Sequence, residues 1–350
     1  MSGTLRIAVD AGNLARDRRG MGRLARSVLR EAARDPQLAI DLLADARAER
    51  AALRAEFAGT AGFGVGRTAR ARERGRYDVV WYPFNGMRFR ASAPTLALVH
   101  DVFAFTEAHP ERIARYREQA PIRRTAREAT AIATTTEWNR REIARELGVG
   151  SERIEVIPPV ADAIFVPGSA AALPAAVRER RYVLAVGGGE ARKNLGVLIE
   201  ACARAFAPGR ERLILVGSLG ARSRRRVAEL GLAALHVDAS DGLLRDLYRG
   251  AALVAVPSRA EGFGLVAVEA MACGAAVLAS DVAGLREATR GAAGLLPPDD
   301  VPLWAAAIRT LLDDDARRAA LAARATAQFG SADRSSHARA MVAAIRRLAT

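Results

Sequence analysis

VPSRAEGFGLVAVEAMACGAAVLASD, Val256 to Asp281, holds two acids eight positions apart in a setting that is otherwise apolar and small. An apolar strand ends at Pro257, a loop carries Glu261–Gly262–Phe263–Gly264, and a helix from Leu265 to Cys273 contains Glu269 before a second strand at Ala276–Ser280. A carboxylate accepts hydrogen bonds from two vicinal hydroxyls, which is how proteins hold a ribose or a hexose. Glycines at 262 and 264 let the backbone come close to such a ligand. Glu269 sits in VAVEAMACG, where an unpaired buried carboxylate would be costly, so a ligand is the favoured reading of it.

Upstream, VLAVGGGEARKNLGVLIEA repeats the design of a strand, a glycine loop and a helix. Gly187, Gly188 and Gly189 are followed by Arg192 and Lys193, just before a helix opened by Asn194. Two cations beside free glycine amides and a helix N-terminus make an anion trap. Lys193 is the only lysine among 350 residues, so a compact ammonium is kept where arginine serves everywhere else.

Farther out, strands are expected at Leu5–Asp10, Asp78–Phe84, Thr95–His100, Thr130–Thr135 and Ile154–Pro158, then at Tyr182–Gly187 and Leu213–Gly217. Helices are expected at Met21–Arg34, Glu137–Leu147, Leu195–Phe206, Arg222–Leu230 and Leu243–Arg249. Alternation of this kind implies parallel sheets with crossover helices. The reading is α/β: a first domain at 1–166, a Pro/Gly/Ala-rich linker at 167–181, a second domain at 182–330 and a C-terminal helix within 331–350 that packs back toward the first domain. Ligands of such sheets bind beyond the carboxyl ends of the strands. Two domains facing each other would therefore put a site in the cleft between them. In the first domain the candidates are Gly20 and Gly22, which open a helix after the first strand, and His100, at the end of another strand.

Composition narrows the function. The formal charge is +14, but the basic residues are spread along the chain, with one local run at Arg222, Arg224, Arg225 and Arg226. No aromatic residues interleave with them as a platform for single-stranded nucleic acid requires. Apolar runs fall short of a membrane span. Two cysteines, Cys202 and Cys273, give neither a disulfide framework nor a metal spacing. The expected compartment is the cytoplasm, with peripheral contact at an anionic inner leaflet and no nucleic-acid partner. Asp313–Asp314–Asp315 is expected to be a solvated turn.

EGFGLVAVEAMACGAAVLAS, with its Glu-x₇-Glu spacing, resembles glycosyltransferase family 4, retaining enzymes of the GT-B fold with two Rossmann-like domains. GGGEARKNL resembles that family's basic loop, and RRGMGR its N-terminal glycine loop. VHDVFAFTEAHPERIARY and TTTEWNRREIARELGVGSERIEVIPP follow in family order. The resemblance implies transfer of a sugar from a nucleotide diphosphate-sugar to a sugar, lipid-linked or small-molecule acceptor, with no cofactor and no metal. It implies that Gly20 and Gly22 line the donor phosphates and that His100 meets the donor sugar. Arg192 and Lys193 would neutralise the diphosphate beside Gly187. Glu261, Gly262, Phe263, Gly264 and Leu265 would hold the sugar side of the donor, and Glu269 the ribose. The leaving phosphate would take the acceptor's proton. Acceptor contacts are expected around Asn13–Arg19, Phe84–Arg90 and Phe103–His109.

The chain departs from the family at Gly188, where an arginine is common, at Pro159–Val160, in place of an asparagine–glycine pair, and at 237–242, which reads VDASDG where a glycine commonly follows the strand. Other GT-B chemistry, a nucleotide-sugar epimerase or a phosphorylase, is the alternative enzyme reading. A basic nucleic-acid-binding protein is the alternative from another class.

Overall fold

A computed structural model describes residues 4–17, 20–106 and 112–349. Arg18 and Arg19 of the glycine loop, and residues 107–111 of the histidine-containing segment, lie outside the described residues. The chain forms two compact units, one of residues up to Pro159 together with Ser335 onward, the other Val160–Arg334.

The first unit is built on a seven-stranded parallel sheet: β1 (Leu5–Asp10), β2 (Leu38–Leu43), β3 (Phe63–Gly66), β4 (Val79–Tyr82), β5 (Thr95–Leu98), β6 (Ala131–Thr134) and β7 (Ile154–Val156), in the order β3-β2-β1-β4-β5-β6-β7. Its helices are α1 (Gly20–Ala32), α2 (Arg47–Glu56), α3 (Phe103–Thr106), α4 (Arg112–Glu128) and α5 (Glu137–Leu147). Side chains alternate between the two faces of a strand. Ile7, Val9, Val79 and Trp81 thus join one core, while Ala8, Val80 and Tyr82 join the other. Burial on both faces makes the central strands unbroken apolar runs. α5 begins where Thr136 accepts from the Asn139 amide and stops at Gly148, whose φ of 65° continues no helix.

The second unit carries α6 (Ala175–Arg178), β8 (Arg181–Val186), α7 (Leu195–Ala205), β9 (Glu211–Val216), α8 (Ala221–Glu229), β10 (Ala234–Val237), α9 (Asp241–Gly250), β11 (Leu253–Val256), α10 (Leu265–Ala272), β12 (Val277–Ser280), α11 (Ala283–Thr289), β13 (Gly294–Leu296), α12 (Val301–Asp313) and α13 (Asp315–Ala325). Its strands are parallel in the order β10-β9-β8-β11-β12-β13. The last helix, α14 (Ser336–Arg347), belongs to the first unit and packs on α1, burying Ala338, Met341, Ala344 and Ile345 in that core.

Several expectations change. The stretch 167–181 packs as part of the second unit, because Leu173 and Val177 bury beside Tyr182 and Tyr248. The chain passes between units at 159–160 and 334–335 instead. The β2, β3, β10 and β13 strands are additions. The acid run is exposed at the junction of α12 and α13, as expected, with Asp314 capping α13 by accepting from the Arg317 amide, Asp313 pairing with Arg309 and Asp315 with Arg318. Both thiols are buried and unpaired with each other. Among the described residues no helix is long and apolar enough to cross a membrane.

Candidate active site

In a doubly wound sheet the crevice opens where the strand order reverses. In the second unit that point lies between β8 and β11, and the loops leaving these two strands carry Gly187–Lys193 and Ser258–Gly264. The Arg259 amide donates to the Arg192 carbonyl at 2.8 Å and ties the loops together.

Glu261 is the hub. Its Oε1 accepts from Lys193 Nζ at 2.7 Å and from Ser258 Oγ at 2.7 Å, and its Oε2 accepts from Arg192 Nη1 at 3.2 Å. Burial alone would push this carboxyl up, but the two cations and these hydrogen bonds outweigh it and hold the group below the usual range. Arg192 also pairs with Glu190 at 2.6 Å. Asn194 takes a left-handed φ of 53° and sends its Nδ2 to the Pro298 carbonyl at 2.7 Å. Its side chain does not cap α7, which begins just after the two cations.

Gly264 enters α10 at φ 102°, where a Cβ would stand 2.4 Å from Leu285 Cδ2, so only glycine fits. α10 is almost wholly buried, and Glu269 within it is 1 % exposed. The Tyr248 hydroxyl donates to Glu269 Oε2 at 3.2 Å. The structure thus brings Arg192, Lys193, Glu261 and Gly187 together, with Gly262, Phe263, Gly264 and Leu265 continuing into the helix that holds Glu269.

Gly20, Gly22 and His100 belong to the first unit. A Cβ on Gly22 would meet the Asp17 carbonyl at 1.9 Å, so this glycine lets the loop Ala11–Asp17 lie against α1. Arg26, one turn on, donates to the Asp17 and Leu14 carbonyls at 2.7 Å each and pairs with Glu56. His100 is buried, with Nε2 3.0 Å from the Pro83 carbonyl, its amide donating to Asn85 Oδ1 at 2.8 Å, and its carbonyl accepting from Asn139 Nδ2 at 2.7 Å. Burial lowers its pKa, so the ring is neutral.

Ser258, Tyr248 and Arg26 escape the sequence reading. Ser258 lies in the loop already singled out, and its place three residues before Glu261 is a usable signal. Tyr248 reaches Glu269 across 21 positions and leaves no local trace. Among the described residues no group of three or more His, Cys, Asp or Glu side chains stands together as a metal cage.

The family profile "Glycosyltransferase Family 4" matches residues 19–163, and "Glycosyl transferases group 1" matches 180–314. A D-inositol 3-phosphate glycosyltransferase of Kineococcus radiotolerans is 35% identical over 227 residues, covering 56% of this chain and 52% of the relative. The chain thus spans about half the length of that protein. The D-inositol 3-phosphate glycosyltransferase of Thermobispora bispora is 35% identical over 307 residues, covering 76% and 70%. Anabaena HepE, solved in complex with UDP and glucose, matches with a TM-score of 0.77 at 18% identity, over 99% of each chain, a likeness of fold alone. Two Rossmann-like parallel sheets, both profile matches and a relative of which 70% is covered show that the chain belongs to glycosyltransferase family 4, within the GT-B fold.

Proposed function

We propose that the chain is a retaining, metal-independent glycosyltransferase that moves a sugar from a nucleotide diphosphate-sugar to an acceptor hydroxyl. The observation that carries this reading is the convergence of Lys193 and Arg192 on Glu261 beside the uncapped start of α7. The diphosphate lies against the amides of Gly187–Gly189 and the α7 N-terminus, with Lys193 and Arg192 taking up its charge as it leaves. These fixed positive groups supply what a metal supplies elsewhere. Glu261 keeps both cations aimed and shares its oxygens with the donor sugar. Glu269, steadied by Tyr248, accepts from the ribose hydroxyls, and neutral His100 meets the sugar. The bond from C1 to the acceptor oxygen forms on the face where the bond from C1 to the phosphate oxygen breaks. The departing phosphate oxygen takes the acceptor's proton, so no protein base is needed.

UDP, held by HepE, is the first nucleotide to test, ahead of GDP, ADP and dTDP. The relatives' names add D-inositol 3-phosphate to the sugar, lipid-linked and small-molecule acceptors. With a lipid-linked acceptor the enzyme works at the inner face of the membrane, where liposome cosedimentation would show it. In the basic run, Arg226 pairs with Glu200 and Arg225 with Glu229, so it offers less free charge to nucleic acid than its sequence suggests. A thermal-shift screen decides the donor: UDP or another of these nucleotides raises the melting temperature by mass action, and Lys193→Ala removes the effect. An NMR spectrum of the product that shows inverted anomeric configuration, or turnover abolished by EDTA, would overturn the mechanism.

A further inference from the structure

The proposed function uses one end of β1 only through its glycines, yet that strand finishes on Asp10, a carboxylate 3% exposed. Its Oδ2 is buried and accepts no hydrogen bond among the described residues, while Oδ1 has only the Gly12 amide at a long 3.4 Å. An unsatisfied buried carboxylate is costly to keep. The nearest cation is Arg88, whose Nε stands 3.9 Å from Oδ2, beyond hydrogen-bonding distance. Three side chains from different elements converge here: a Cβ built on Gly12 would lie 3.8 Å from Asp10 Oδ1, 3.8 Å from Glu49 Oε2 and 3.8 Å from Arg88 Nη1. Asp10 ends β1, Glu49 comes from the first turn of α2, and Arg88 from the segment after β4, on the two sides of the switch point between β1 and β4.

Arg16 pairs with Glu49 Oε1 at 2.7 Å and the Ala46 amide reaches Glu49 Oε2 at 3.4 Å, so two carboxylates balanced by two guanidinia surround this point, a polar seat suited to hydroxyls. The four charges cancel, so the cluster favours an uncharged ligand over an anion, and among the described residues no group of three or more His, Cys, Asp or Glu forms a metal cage. Neighbouring hydroxyls of a ring can donate to Asp10 and Glu49 and accept from Arg88 at once. We propose that Asp10, Glu49 and Arg88 seat an uncharged, hydroxyl-bearing face of the acceptor, a sugar or cyclitol ring, with Gly12 leaving the room. The proposal rests on the glycosyltransferase reading and names the acceptor class for it.

Burial pushes Asp10 up to about 6, with Arg88 and the Gly12 amide opposing and Asp45 and Glu49 adding to the rise; Tyr82, on β4, senses the same charge. Ring binding therefore weakens as the pH falls through about 6.

The test uses the full chain saturated with UDP and measures binding of D-glucose, D-mannose, myo-inositol and D-inositol 3-phosphate by saturation-transfer NMR. At least one ring binds the wild type. Asp10→Asn weakens it at least tenfold and removes the pH dependence. Gly12→Ala also weakens it at least tenfold, by volume, while leaving the Asp10 carboxyl to titrate, and its Cβ meets nothing closer than 3.8 Å, so it folds. UDP's thermal shift is unchanged in both variants. A ring held equally well by both variants, or no ring held at all, overturns the proposal. The UDP shift says which reading has failed: rings bound without UDP would sink the donor site and leave this seat standing.

Discussion

Lys193 and Glu261 are each other's nearest opposite charge in a part-buried pair, so losing Lys193 leaves Glu261 with Arg192, at 3.2 Å, and the Ser258 hydroxyl. Lys193→Ala is expected to lower kcat/KM by about 10²–10³-fold, the scale of removing one preorganised charge from a transition state. Exposed Arg222 is the control, and its alanine variant should change turnover less than about threefold. Similar losses in steady-state assays would sink the donor-site reading. Tyr248→Phe removes one hydrogen bond to Glu269 and should raise the donor KM several-fold with kcat nearly unchanged, read from the same assays. Asp10 carries a cost in stability. Its carboxyl sits at about 6 against an ordinary 3.8, so the folded state binds its proton more tightly than the unfolded chain does. The stability it lends is full below pH 3.8 and is gone above about 6, a difference of about 3 kcal/mol. Asp10→Asn should therefore raise the first unit's melting temperature at pH 7.5 by several degrees, at roughly 2–4 °C per kcal/mol, and give no gain at pH 4. Of the residues named from sequence in the second unit, Arg192, Lys193 and Glu261 meet, because local spacing in two loops fixed them. Arg88 lay within the expected acceptor segment Phe84–Arg90, but its meeting with Asp10 and Glu49 was not legible, because the three come together only through β1, α2 and the segment after β4.

At the scale of elements, α14 does the most for the first unit. Met341, Ala344 and Ile345 complete the core against α1, and Arg346 and Arg347 pair with Asp35 and Glu155. Met341→Ala should cost about 2–5 kcal/mol and lower the first unit's calorimetric transition, leaving the second unit's in place. The same helix carries His337, 2% exposed, with Nδ1 3.2 Å from the Pro158 carbonyl. Burial lowers its pKa to about 4, the Pro158 bond opposing and His100 assisting. A base depressed in this way lends stability above about 6.5 that is lost as the pH falls toward 4, opposite in sign to Asp10 over nearly the same range. His100, also depressed, acts with His337. Removing Asp10 should thus steepen the acid loss of stability, which melting curves from pH 7 to 4 would show. Elements with a plain pattern, such as β1, β8 and α10, were readable from sequence. β2 was not, since LAIDLLADARAERAALRAE runs a strand into a helix with no glycine or proline between them, and β3, the four residues FGVG, is half glycine and carries little strand signal.

At the scale of the molecule, the residues of Gly187–Glu269 to which the proposed function gives the donor fall within residues 160–334, and the proposed seat at Asp10 falls in the other unit. UDP should accordingly stabilise Asp10→Asn as much as it stabilises the wild type. The boundary between the units was misread because proline, glycine and alanine at 167–181 look like a connector, while Leu173 and Val177 supply enough apolar surface to bury. The real crossings, at 159–160 and 334–335, have a temporal meaning. A chain leaves the ribosome from its N-terminus, and domains commonly fold in that order during synthesis. Here the unit begun first lacks Met341 and Ile345 until all of residues 160–334 have been made. The nascent protein therefore finishes residues 160–334 while α1 still shows an open apolar face, a period in which that face is a target for chaperones.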